Sequence, residues 1–166
     1  MLIDISYFTK GPRHIQNATE SKMPTMESQS VNNAIQAYSE FYIEPFLNNM
    51  LGAELAAKAM TRLIEIEDGA VNTEPIDVLI SKLKESYADF VFFQIIKNVN
   101  TQPTMTGTVK LKSANEYTDP KAVLVDTWNR MVENNELFVE WVFSDECPYK
   151  VKVRKSMLTT INVLNI

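Results

Sequence analysis

Apolar positions along this chain recur at helical spacing in four stretches and alternate at strand spacing in two. Val31, Ile35, Tyr38, Tyr42 and Phe46 fall on one stripe and predict a first helix over 31–51. Ser28 or Ser30 can cap its start, and Gly52 stands where a helix ends in a left-handed residue. Pro45 lies inside the pattern, lacks a backbone donor and predicts a kink or a break. A second helix over 53–67 gathers Leu55, Ala59, Leu63 and Ile66 on one face, and its small Ala56, Ala57 and Ala59 admit a close neighbour. Asp68-Gly69 stops it, and Pro75 suits the first turn of a third helix over 76–99. Ile76, Leu79, Ile80, Leu83, Tyr87, Phe90 and Val91 mark that third stripe. From Phe90 to Ile96 it is apolar almost all round, so it must be buried on every side by its own domain or by a partner. Asp119-Pro120 offers a cap and a first-turn proline for a fourth helix reaching about Phe143, with Leu124, Trp128, Met131, Val132, Val139 and Val142 facing inward.

The remaining stretches lack helical periodicity. Residues 1–30, punctuated by Gly11-Pro12 and Met23-Pro24, read as an extended arm, although Leu2–Phe8 is apolar enough to dock. In the loop 100–117 the alternation Val109-Lys110-Leu111-Lys112 reads as a short exposed strand or an extended arm. Beyond Pro148 the tail alternates Lys150, Lys152 and Arg154 with Val151 and Val153, then continues Met157 to Leu164 in a strand-like or hairpin pattern. The expected fold is mainly α: a four-helix core over 31–146 between an extended N-terminal arm, 1–30, and a β-like C-terminal tail, 147–166.

Composition narrows the function classes. With 166 residues, 45% hydrophobic and 22% charged, the chain can build a core and is not disordered throughout. A net charge of −5 provides no overall field for nucleic acid. Cys147 stands alone, which excludes an intrachain disulfide and a cysteine-based zinc site. Asp4 interrupts the first apolar run, and no apolar stretch reaches the ~18 residues of a membrane span. A soluble protein made inside the cell is expected, which makes Asn17-Ala18-Thr19 a chance glycosylation match.

Catalytic patterns are thin. His14 is the only histidine, no Gly-x-Ser-x-Gly elbow accompanies it, and it reads as a surface or interface side chain. Glu65, Glu67 and Asp68 form the densest acidic cluster, but the first two are two apart on a helix and point to different faces. Four glycines leave no phosphate-cradling loop, and Phe90, Phe92, Phe93 and Trp128 sit at core spacing. The basic set Lys150, Lys152, Arg154 and Lys155 has three readings: a protected strand edge, a contact to an acidic partner, or a contact to phosphates. No catalytic residue, cofactor or metal is expected, and the chain reads as part of an assembly.

The order of features carries a resemblance. Tyr42-Ile43-Glu44-Pro45-Phe46 leads into Met50-Leu51-Gly52-Ala53-Glu54-Leu55. An aromatic helix around Tyr87-Ala88-Asp89-Phe90 follows, then a polar loop with Thr106-Gly107, then a helix carrying Trp128-Asn129-Arg130-Met131. Over 31–143 this layout resembles the small helical head–tail connector (adaptor) proteins of tailed bacteriophages. The resemblance implies a virion protein at the head–tail interface, assembled in the host cytoplasm as a ring, typically dodecameric. The implied partners are other copies of the chain, the portal protein, and the next connector, stopper or tail protein. Genomic DNA would pass through the ring without being read, and no membrane is involved. The ends and the 100–117 loop would grip the neighbours, with Tyr7, Phe8, Lys110, Lys112, Lys150, Lys152, Arg154, Leu158, Ile161 and Leu164 as the candidate interface. Rival readings are another tail-completion or interaction protein, a carboxylate-dependent hydrolase around Glu65, Glu67 and Asp68, and a DNA-binding module using Lys150, Lys152 and Arg154.

Overall fold

The computed structural model describes residues 1–99, 101–104, 107–110, 120–144, 146–162 and 164, with the backbone course alone at 99, 101–104, 107–110 and 120. The chain is mainly helical, with five α-helices among the described residues: α1 (Met26–Leu51), α2 (Ala53–Glu67), α3 (Pro75–Lys82), α4 (Lys84–Val99) and α5 (Pro120–Val142). Between α4 and α5, strands β1 (Thr101–Thr104) and β2 (Gly107–Lys110) pair antiparallel, with Thr101 opposite Lys110 and Thr104 opposite Gly107. The alternation that begins at Val109 therefore belongs to a hairpin strand, while Leu111 and Lys112 lie outside the described residues. So does Asp119, the expected cap of the last helix.

α1 begins five residues before the expected start, capped by the Thr25 hydroxyl, which accepts from the Ser28 amide at 3.2 Å, and not by Ser28 or Ser30. Its first turn faces water, with Met26 exposed, so no apolar period announces it. Pro45 does not break the helix. Pro45 and Phe41, whose carbonyl loses its helical donor to the proline, are both exposed, where water can replace the missing bond. Gly52 joins α1 to α2 at φ 78° and ψ 158°, a conformation essentially reserved for glycine. Its amide closes α1 on the Asn48 carbonyl and its carbonyl opens α2 to the Ala56 amide.

The expected third helix is two helices. At Leu83 the amide bonds back to the Ile80 carbonyl at 3.1 Å, three residues away, and a new helix starts at Lys84. The change of direction keeps Leu79, Leu83, Tyr87 and Val91 fully buried along both pieces. α4 is the centre of the molecule, packed against α1 on one side and most extensively against α5 on the other, with α2 beyond α1 and α3 bridging α2 and α4. The all-round apolar run of α4 is thus buried within its own domain. Phe46 meets Tyr87 and Phe90 with ring centroids 4.9 and 5.4 Å apart, and the Tyr87 hydroxyl donates to the Ser39 carbonyl.

Neither end is a free arm. The N-terminal residues form two single turns of 3₁₀ helix, Ile5–Phe8 and Gly11–Arg13, and Leu2, Ile3 and Phe8 belong to the core. Asn32 on α1 exchanges two hydrogen bonds with the Thr19 backbone, at 3.2 and 2.8 Å, and holds the polar part of this segment. The tail forms no strand among its described residues. It runs extended over the core, makes one 3₁₀ turn at Lys155–Leu158, and buries Met157. No helix among the described residues is long and apolar enough to cross a membrane.

Candidate assembly surfaces

Buried charge organises the interior and fixes which surfaces remain outside. Asp89 on α4 is fully buried. Arg13 from the N-terminal segment grips both of its oxygens, at 2.7 and 3.1 Å. Arg130 on α5 adds a bond at 2.8 Å from its Nε, and the Asn134 amide donates at 3.1 Å. Arg13 also reaches Glu85 at 2.7 Å. Burial opposes the Arg13 charge, but its bonds to Asp89 and Glu85 outweigh that and raise its pKa. One carboxylate therefore ties the N-terminal segment, α4 and α5 together.

A second node joins α2 to α3. Arg62, with its side chain only 7% exposed, donates to Asp77 at 2.8 and 3.0 Å, to Glu65 at 3.0 Å and to the Val71 carbonyl at 2.7 Å. These hydrogen bonds from Arg62 hold the Asp77 carboxyl below its ordinary range, against the effect of burial. Glu65 belongs to this node, whereas Glu67 pairs with the N-terminal amine of Met1 and Asp68 closes the end of α2 through its backbone. The acidic cluster read from the sequence is thus dispersed over three separate contacts. His14 is exposed, its amide bonded to the Gly11 carbonyl.

The candidate interface residues fare unequally. Phe8 is 0% exposed and is a core residue, a correction to its expected place at an interface: an aromatic ring in an apolar lead segment found its own core first. Tyr7 is half-buried beside it, and burial, with Glu85 and Asp4, pushes its phenol up against the opposing Arg13. Lys110 ends β2. Lys112 lies outside the described residues. Lys150, Lys152 and Arg154 are all exposed while Val151 and Val153 pack on the core, so the expected alternation is present without a sheet. Arg154 anchors this run at the end of α1, its amide donating to the Asn49 carbonyl at 2.8 Å and its guanidinium to the Asn49 side chain at 3.1 Å. Leu158 and Ile161 are half-buried, and Leu164 is 93% exposed.

Three side chains of α5 pin the tail. The Trp128 indole donates to the Thr159 carbonyl at 2.9 Å, and Asn129 bonds both the Ile161 carbonyl and amide at 3.0 and 2.9 Å. The buried Asn135 accepts from Ser86 and donates to the Met157 carbonyl at 2.7 Å. With the ends fastened, large apolar side chains still stand in water on several elements, Ile64 on α2 and Val78 on α3 among them. Phe41 on α1 is 72% exposed, while Leu137 on α5 and Phe143 just past its end are 63% and 84% exposed. α4 packs against both of these helices.

Sequence reasoning missed these outward residues and both charge nodes. Some signals were there: Asp89 interrupts an apolar run, Arg62 falls on the apolar stripe of α2, and Asn135 lies between Met131 and Phe138 on the buried face of α5. No protein-family model matches the chain, and no curated protein or solved structure is detectably similar to it.

Proposed function

We propose that the chain is a structural assembly subunit, a head–tail connector (adaptor) of a tailed bacteriophage. On this reading, copies form a ring, dodecameric in the family it resembles, between the portal and the next connector, stopper or tail protein. Genomic DNA passes through the ring without sequence recognition. Assembly takes place in the host cytoplasm, and the finished subunit resides in the virion.

The observation that carries the reading is the exposure of large apolar side chains on separate elements, Phe41 on α1 and Leu137 with Phe143 on and just past α5. A closed ring is built from heterologous contacts, so each subunit needs two different adhesive faces, and isolated folded subunits leave both exposed. The layout from Tyr42 to Met131 adds the resemblance to connectors. Negative-stain electron microscopy of the chain mixed with its cognate portal tests this, with light scattering on the chain alone. The reading predicts rings stacked on portals. A chain that leaves the portals bare contradicts it.

A further inference from the structure

The outward face of α5 and the outward edge of the tail carry opposite charge, and neither is ion-paired within the subunit among the described residues. Asp126, Glu133, Glu136 and Glu140 follow one another along the exposed side of α5, around the exposed Leu137. None of the four forms an ion pair among the described residues, and no lysine or arginine shares their stripe: Arg130 is turned to Asp89. Lys150, Lys152, Arg154 and Lys155 are exposed along the tail, which runs from the α1–α2 corner, where Arg154 bonds Asn49, to the 3₁₀ turn that packs on α5. These four also lack carboxylate partners among the described residues.

We infer that copies of this chain join head to tail, the acidic face of α5 on one copy lying along the Lys150–Lys155 edge of the next. The second copy is the occupant because the chain itself supplies both halves of the match: Glu133, Glu136 and Glu140 around the exposed Leu137 on one surface, four exposed cations along the tail on the other. An exposed lysine is worth little in a lone ion pair, but several in register set the orientation of a contact and exclude the wrong one. The two surfaces are different parts of each copy, so using one leaves the other for a third copy, which is the condition for a ring or filament. The inference deepens the assembly reading above and rests on it, by naming the contact between copies.

The test is sedimentation velocity of the full chain at low salt, in four samples. Wild type is expected to self-associate, and to come apart at about 1 M salt, where the screening length falls to about 3 Å. The variant E133K/E136K/E140K and the variant K150E/K152E/R154E should each associate on the order of a hundredfold more weakly, since each sets like charges against one another. Mixed in equal amounts, the two variants should associate again, because every contact between unlike copies restores the opposite-charge match. Recovery on mixing also excludes misfolding as the cause of the loss. Wild type that remains monomeric overturns the inference, and if it then retards duplex DNA, the tail edge is assigned to phosphate instead. Two variants that assemble as wild type does, or a mixture that stays dissociated, overturn it as well. The connector reading is judged separately, by rings on portals: it stands if wild-type rings form there through other faces, and falls if none form.

Discussion

The two ends of the chain look alike in sequence and do different things in the fold. Both are irregular, both flank the helices, and both lie on the core. The N-terminal segment enters it: Leu2, Ile3 and Phe8 are buried, and Arg13 completes the Asp89 node. The tail crosses over it, buries one large side chain, Met157, and is held mainly by α5 side chains that bond its backbone. One end is therefore part of the hydrophobic core, and the other is a strap that keeps its charged side chains outside. An end that contributes core cannot be released for a partner without unfolding the domain, whereas a strap presents a surface in the folded subunit.

Truncating each end should separate these roles. Phe8→Ala is expected to have the largest effect, lowering the unfolding free energy by about 4 kcal/mol through the lost apolar area and the cavity left behind, as read by urea denaturation. A change near zero would mean that the N-terminal segment does not belong to the core. Asp89→Ala should cost about 3 kcal/mol, because it leaves Arg13 and Arg130 facing one another without their shared carboxylate. For the strap, Asn135→Ala should cost about 2 kcal/mol, by leaving the buried Ser86 hydroxyl and the Met157 carbonyl unpaired. It should also raise amide exchange in the tail while leaving the N-terminal segment protected. The smallest effect belongs to Lys150→Gln with Lys152→Gln, expected to change stability by no more than about 0.5 kcal/mol in thermal unfolding, since these side chains are exposed and form no ion pair among the described residues.

Helical content and most of the core were legible because they rest on local periodicity. The second helix, with Gly52 before it and Asp68-Gly69 after it, has the bounds its punctuation marks. The division at Leu83 was not legible, since no proline or glycine marks it and Leu79, Leu83 and Tyr87 continue one stripe through the turn. The early start of α1 was hidden because its first turn faces water and carries no apolar period. The apolar character of Leu2–Phe8 signalled docking, but the partner that fixes the segment, Asp89, lies 76 residues from Arg13, and no local pattern encodes that pairing. At the surface, the alternation of Lys150, Lys152 and Arg154 could be read directly, because an extended chain on a core obeys the same two-residue period as a strand. The acidic face of α5 was obscured by attention to its apolar positions, although Glu133, Glu136, Leu137 and Glu140 have the spacing of one helical face.

Hydrogen–deuterium exchange on the free chain and on the chain bound to its portal tests most directly the claim that this is a folded subunit which joins others through outward faces. The account predicts that amides of residues 2–15 are protected in both states, while 133–143 and 150–155 gain protection only on assembly. It is contradicted if residues 2–15 exchange freely in the free chain, or if assembly leaves both outward segments unchanged.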